Sequence, residues 1–214
     1  MINNYFFDFD KTLADTGNVS VNAMKQAFEI NGLVQPETNT ILSYMGIPAE
    51  ISIPKMATKA LSESDLTDLT DNFRYFYEKD EINSTKLYPK ISEVLADLQS
   101  KNKNLFVVSS KKTDALLRNL KALSIDEYFT DIVGFDVVQN YKPAPDALLL
   151  LINKYHLGKT DSVMIGDAKY DLQMGKAAAT KTCGATWGAF DIQSLKDENP
   201  TFLIDEPTKL LTLE

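Results

Sequence analysis

An open, doubly wound parallel β-sheet carrying an all-α insertion is the α/β fold class that this sequence of 214 residues predicts. Two observations carry that expectation. Short apolar runs that end on polar residues recur along the chain, and each is followed by a helical pattern. Directly after the first run, the segment 15–86 holds helical stripes and no strand pattern.

The elements follow in order. Tyr5-Phe6-Phe7 reads as a buried strand running into Asp8. The insertion carries apolar stripes at Val21, Met24 and Phe28, then at Leu66, Leu69, Phe73, Phe76 and Tyr77, punctuated by Gly32, Pro36, Gly46, Pro48 and Pro54. Residues 15–86 are therefore expected as a helical cap, joined by linkers at 14–18 and 83–89 to a core made of 1–14 and 87–214. Ile91, Val94, Leu95 and Leu98 share one helical face, and Leu105-Phe106-Val107-Val108 is the next strand, ending on Ser109-Ser110-Lys111. Leu116, Leu120 and Leu123 predict a helix, Ile132-Val133-Gly134-Phe135 a weaker strand. Pro145 and Asp146 open a helix with Leu148, Leu151, Ile152 and Tyr155 on one face. Ser162-Val163-Met164-Ile165 runs into Gly166-Asp167, and Thr182-Cys183-Gly184-Ala185-Thr186 is a further strand.

Thirty acidic against 22 basic residues leave a formal net charge of −8, which disfavours nucleic acid and anionic membranes as partners. Cys183 is the single cysteine, so no disulfide framework or cysteine zinc site is available, and a reducing cytoplasm is the expected compartment. No apolar stretch approaches the roughly 20 residues needed to span a bilayer. No basic region precedes the first apolar run, so no secretory leader is expected. His156, the only histidine, falls on a helical pattern away from the polar strand ends and reads as structural or solvent-facing.

In an open α/β sheet, ligands bind outside the carboxyl ends of the strands. Asp8, Asp10, Ser109 and Asp167 all fall there. Two carboxylates two residues apart on an extended segment face the same side and repel unless a cation intervenes. With Asp167 they form a cluster of hard oxygen ligands without His or Cys, which suits Mg²⁺. Asp167 and Asp171 read equally well as acids at a helix N-terminus. A carboxylate beside such a cation can act as a nucleophile, and a second can move the proton of the leaving group and of water. A phosphoryl group then needs a hydroxyl, which Ser109 offers, and a cation, for which Lys142, held between Tyr141 and Pro143, is the best candidate.

Asp8-Phe9-Asp10-Lys11-Thr12-Leu13, Val107-Val108-Ser109-Ser110-Lys111, Lys142-Pro143 and Ile165-Gly166-Asp167-x-x-x-Asp171 resemble, in order, the four motifs of the haloacid dehalogenase superfamily. The resemblance covers nearly the whole chain and implies a Rossmann-like core. The cap inserted after the first motif matches the subgroup with phosphoglycolate phosphatases and β-phosphoglucomutases. It implies Asp8 as nucleophile, Asp10 as general acid and base, and Ser109 and Lys142 as phosphoryl ligands. Mg²⁺ would be held by Asp8, the Asp10 carbonyl and Asp167, with Asp171 supporting from behind. Asp10 points to phosphate esters, because dehalogenating and phosphonate-cleaving members lack a carboxylate there.

The expected function is Mg²⁺-dependent hydrolysis of a small phosphorylated metabolite, phosphoglycolate or a sugar phosphate, by a monomer or weakly associating dimer. A phosphomutase is the nearest alternative. A receiver-like signalling module is remote, since receivers lack the insertion, and intact aspartates argue against a non-catalytic binding protein. Lys11 stands where the common motif has glycine and is expected to face solvent. Tyr44-Met45-Gly46-Ile47-Pro48 resembles the cap turn that faces the site. Lys55 and Arg74 are expected as exposed helix residues, and Trp187, in a stretch resembling phosphoglycolate phosphatases, as either part of that pattern or a packing aromatic.

Overall fold

The computed structural model describes residues 1–214. Six parallel strands form one sheet in the order β5(Asp131–Val133), β4(Asn104–Val108), β1(Asn4–Phe7), β6(Ser162–Gly166), β7(Lys181–Ala185), β8(Phe202–Ile204). The period of two in β1 sorts its aromatic residues onto the two faces. Tyr5 and Phe7 join Leu105, Val107, Val163 and Ile165 under helices α5(Ile91–Ser100) and α6(Thr113–Ala122). Phe6 joins Phe106, Val108 and Met164 under α7(Asp146–Lys154) and α8(Lys169–Ala177), with the Phe6 and Phe106 rings stacked at 4.9 Å. Both faces are covered, which is why β1 reads as an unbroken apolar run.

The chain builds outward from β1 through β4 to β5, then crosses back to add β6, β7 and β8 on the other side. That reversal beside β1 is where such sheets open a crevice. In register, Phe7 lies beside Val107 on one neighbour and Ile165 on the other, so the residues that follow all three strands emerge together.

The insertion consists of α1(Gly17–Ile30), α2(Thr38–Ser43), α3(Ala49–Met56) and α4(Glu63–Ser84), packed around an apolar cluster of its own that includes Met24, Phe28, Ile41, Ile53 and Leu69. Ser62 starts α4 with a capping box. Its hydroxyl accepts from the Asp65 amide at 3.1 Å, and the Asp65 carboxylate accepts from the Ser62 amide at 3.1 Å.

Two strands absent from the sequence reading join insertion and core. β2(Ala14–Asp15) pairs antiparallel with β3(Lys86–Leu87), Ala14 opposite Leu87 and Asp15 opposite Lys86. Two residues per strand are too few to leave a period-two signal. The weak strand expected at Ile132–Phe135 is Asp131–Val133, followed by a 3₁₀ turn at Phe135–Val137. His156 is exposed in the turn after α7, not on the helix.

A buried carboxylate ties the insertion to the core near this junction. Glu81 of α4 pairs with the Arg118 guanidinium of α6 and accepts from Asn119 Nδ2 at 2.7 Å. The Glu81 side chain is 1% exposed and that of Arg118 36%, so Arg118 regains water if Glu81 is lost, and Asn119 does not. Glu81→Ala is therefore expected to cost about 2 kcal/mol in urea unfolding, and Glu81→Gln, which keeps an acceptor, less. Equal stability of Glu81→Ala and wild type would contradict this coupling.

Candidate active site

The first strand ends at Phe7, and the chain then turns through Asp8, Phe9 and Asp10. The Asp8 amide donates to the Ile165 carbonyl at 2.9 Å, which extends the ladder by one bond and fixes Asp8 at the carboxyl edge of the sheet. Phe9 is fully buried and anchors the turn, its carbonyl accepting from the amides of Thr12, Leu13 and Ala14.

Asp8, Asp167 and Asp171 converge, with one carboxylate oxygen of each within 4.8 Å of the others. Lys142, 3% exposed, reaches in from the loop before α7 and donates to Asp8 Oδ1 at 2.6 Å and to Asp171 Oδ1 at 2.7 Å. Asp171 Oδ2 accepts from the Ala168 amide at 3.1 Å, so the helix-cap reading of Asp171 and its place in the cluster both hold. Asp167 Oδ1 accepts from the Thr12 hydroxyl at 3.2 Å. The second oxygens of Asp8 and Asp167 take no hydrogen bond from the chain.

Three buried carboxylates face one ammonium, and the acidities of Asp8 and Asp167 reflect the imbalance. Burial pushes Asp8 up to about 7; Lys142 opposes the shift, while Asp171 and Asp10 add to it. Burial, then the charges of Asp8 and Asp171, raise Asp167 well above the carboxylate range, against the pull of Lys11 and Thr12. Lys142 is raised because the attraction of Asp171 and Asp8 outweighs its burial.

Asp10 has a separate partner. Its Oδ1 lies 3.1 Å from Lys111 Nζ, on the loop that follows β4. Asp8 and Asp10 are thus each paired with their own lysine. Ser109 is buried at the end of β4, where its hydroxyl accepts from the Lys111 amide at 3.2 Å. The next hydroxyl, Ser110, donates to the Gly46 carbonyl at 2.7 Å. Gly46 adopts φ +100°, and a Cβ there would stand 3.0 Å from Ala168, so the turn of the insertion that faces the site needs glycine at its tip.

Between core and insertion lies a cavity of about 230 Å³ lined by Asp8, Asp10, Lys111 and Lys112 on one side and by Met24, Ile41, Phe73 and Tyr77 on the other. Arg74, expected as exposed, lines this cavity and pairs with Glu50, while Lys55 is exposed.

Lys11 departs from its expected place. It is half-buried with φ +60°, a left-handed conformation that explains the glycine at this position of the common motif. Its ammonium is the leading influence that opposes the rise of Asp167. Trp187 Nε1 donates to the Thr12 carbonyl at 3.0 Å, and a Cβ on Gly188 would stand 1.7 Å from the Lys11 carbonyl. The stretch after β7 therefore braces the Asp8 turn from behind, so Trp187 does more than pack. Sequence alone assigns no chemical role to Thr12, Lys111 or Tyr77; for Lys111 the signal is its place two residues after Ser109.

A family profile described as haloacid dehalogenase-like hydrolase matches residues 5–185. The chain belongs to this family. Within it, the chain is 28% identical to a phosphoglycolate phosphatase of Haemophilus influenzae, covering 97% of this chain and 96% of the relative. It is 29% identical to the pyrophosphatase PpaX of Bacillus pumilus, covering 99% and 96%. A haloacid dehalogenase-like family hydrolase from Streptococcus pneumoniae superposes with a TM-score of 0.86 at 26% identity, covering 99% of this chain and 97% of that one. No helix in the structure is long and apolar enough to cross a membrane.

Proposed function

We propose that this hydrolase is a Mg²⁺-dependent phosphatase acting on a small organic phosphomonoester through an aspartyl-phosphate on Asp8. The observation that carries the reading is the separation of the two acids. Asp8 lies in the carboxylate cluster with Lys142, and Asp10, two residues on, is held apart by Lys111, both lining one cavity.

In this reading Asp8 attacks phosphorus, forming an Asp8 O–P bond as the bond to the leaving oxygen breaks and Asp10 protonates that oxygen. Asp10 then takes a proton from water, which attacks the same phosphorus, frees phosphate and restores Asp8. Lys142 spends two of its three donors on Asp8 and Asp171, leaving one for a phosphoryl oxygen. The Ser109 hydroxyl keeps its proton to donate, since its recorded bond is one it accepts.

The residues fit a divalent cation. Two acidities driven up by burial and mutual repulsion mark uncompensated negative charge, and the free carboxylate oxygens of Asp8 and Asp167 are hard ligands, with the Asp10 carbonyl as the further donor the family resemblance implies. Asp171, with both oxygens engaged, would support from behind. A bound Mg²⁺ supplies charge neutralisation to the transferring phosphoryl group.

Phosphoglycolate, pyrophosphate and sugar phosphates form the first substrate panel, two of them from the relatives' names. Free phosphate released stoichiometrically with substrate, and lost on addition of EDTA, is the expected result. A phosphorylated isomer formed without free phosphate would assign a mutase instead, and turnover indifferent to EDTA would overturn the metal-dependent reading.

A further inference from the structure

We propose that Lys111 is a positioning residue that holds Asp10, with its ammonium kept in place by the ring of Tyr77 from the helical insertion. The proposal rests on the phosphatase reading, with Asp10 as the acid and base.

Three elements meet at this ammonium. Lys111 Nζ lies 3.1 Å from Asp10 Oδ1, 3.9 Å from the centre of the Tyr77 ring on α4, and 5.7 Å from that of Phe9. Its side chain is 14% exposed, and Tyr77 is 5% exposed. An ammonium taken from water needs compensation, and here it has two sources, a carboxylate and the face of an aromatic ring. The carboxylate belongs to the core and the ring to the insertion.

The loop bearing Lys111 is itself fixed. The Phe135 amide donates to the Lys111 carbonyl at 3.1 Å, the Lys111 amide donates to Ser109 Oγ, and Ser110 Oγ donates to the Gly46 carbonyl of the insertion. The backbone therefore sets where the lysine starts, and Tyr77 and Asp10 set where it ends. Without the Tyr77 ring, water would reach the ammonium. In that higher dielectric the attraction to Asp10 falls several-fold, and the acid loses its fixed pose.

Lys111 also lines the cavity, so a direct role in binding substrate is the rival reading. The two differ in how they depend on the leaving group. A p-nitrophenolate departs without a proton, whereas an alkoxide requires one, so a defect acting through Asp10 is selective for alkyl esters. Lys111→Met is expected to lower kcat/KM for glycerol phosphate about 10- to 100-fold and for p-nitrophenyl phosphate less than about 3-fold. Lys111→Arg should recover most of the loss. Tyr77→Leu should move the ratio of the two activities in the same direction as Lys111→Met and Asp10→Asn. Because the ratio is taken within one preparation, a change in folded fraction cancels. Equal losses on both esters, or a loss confined to KM, would overturn the proposal. A wild-type protein inactive on both would instead overturn the phosphatase reading beneath it.

Discussion

Asp8→Asn is expected to lower phosphate release by roughly 10⁴-fold or more while leaving the metal-free protein at least as stable as wild type. The activity side follows from chemistry, because an amide oxygen cannot form the aspartyl-phosphate and no neighbouring carboxylate takes its place. Asp10 is held by Lys111, both oxygens of Asp171 are engaged, and Asp167, bonded to Thr12 through one oxygen, is the proposed metal ligand through the other. The stability side follows from charge. Ionised Asp8 is buried among like charges, and its acidity is pushed up to about 7. At pH 8 wild type bears the cost of that ionisation, and asparagine, similar in shape and neutral, removes it while still accepting from Lys142. Activity within about tenfold of wild type would remove Asp8 as nucleophile. A clear fall in Tm for the metal-free variant at pH 8 would show that the cluster is not repulsive as its acidities indicate.

That pairing of lost activity with retained stability separates what sequence could and could not reveal. The longer strands are legible because burial on both faces leaves unbroken apolar runs, and the rule for carboxyl ends of parallel strands gathers the polar residues that follow them at one edge. Asp8, Asp10, Ser109, Lys142 and Asp167 stand out as candidates in the sequence because each follows closely on an apolar run or precedes a helical pattern. The division of labour between the lysines was not legible. Nothing in the spacing of Asp8, Asp10, Lys111 and Lys142 says which lysine meets which aspartate, since the partners lie 134 residues apart in one pair and come from separate loops in the other. The coupling through Glu81 and Tyr77 was hidden for a related reason. Both lie on one long helix, where periodicity places Tyr77 on the apolar stripe but says nothing of the cation its ring meets, and marks an acid such as Glu81 as surface. β8 is followed by a 3₁₀ turn and not by a helical pattern, so the recurring run-then-helix signal is missing there. Lys11 shows the converse: the residue type pointed to solvent, and only the backbone at φ +60° revealed that the turn, not the side chain, dictates the position.

Metal-free protein is expected to lose stability as pH rises from about 4 to 8, and Mg²⁺ to restore it most strongly at the upper end. Asp8 in the folded state titrates near 7, against 3.8 for an ordinary aspartate, and Asp167 is shifted in the same direction. The folded state therefore binds more protons than the unfolded state across this window. By linkage, the contribution of these groups is complete below the unfolded value and is lost as pH passes through the folded one. A divalent cation reverses the balance, since it binds the ionised carboxylates and competes with the protons that metal-free burial retains. At Mg²⁺ near 100 times its Kd the stabilisation is about 2.7 kcal/mol, or about 5–10 °C in Tm for a chain of this size. Thermal unfolding at pH 5, 6, 7 and 8, with Mg²⁺ or with EDTA, measures both effects. The gap between the two curves should widen with pH in wild type and shrink in Asp8→Asn, which keeps fewer charges for the cation to neutralise. A metal-free Tm that climbs steadily over the same range, or a Mg²⁺ shift of equal size at pH 5 and pH 8, would contradict the assignment of the cluster as a metal site poised by burial.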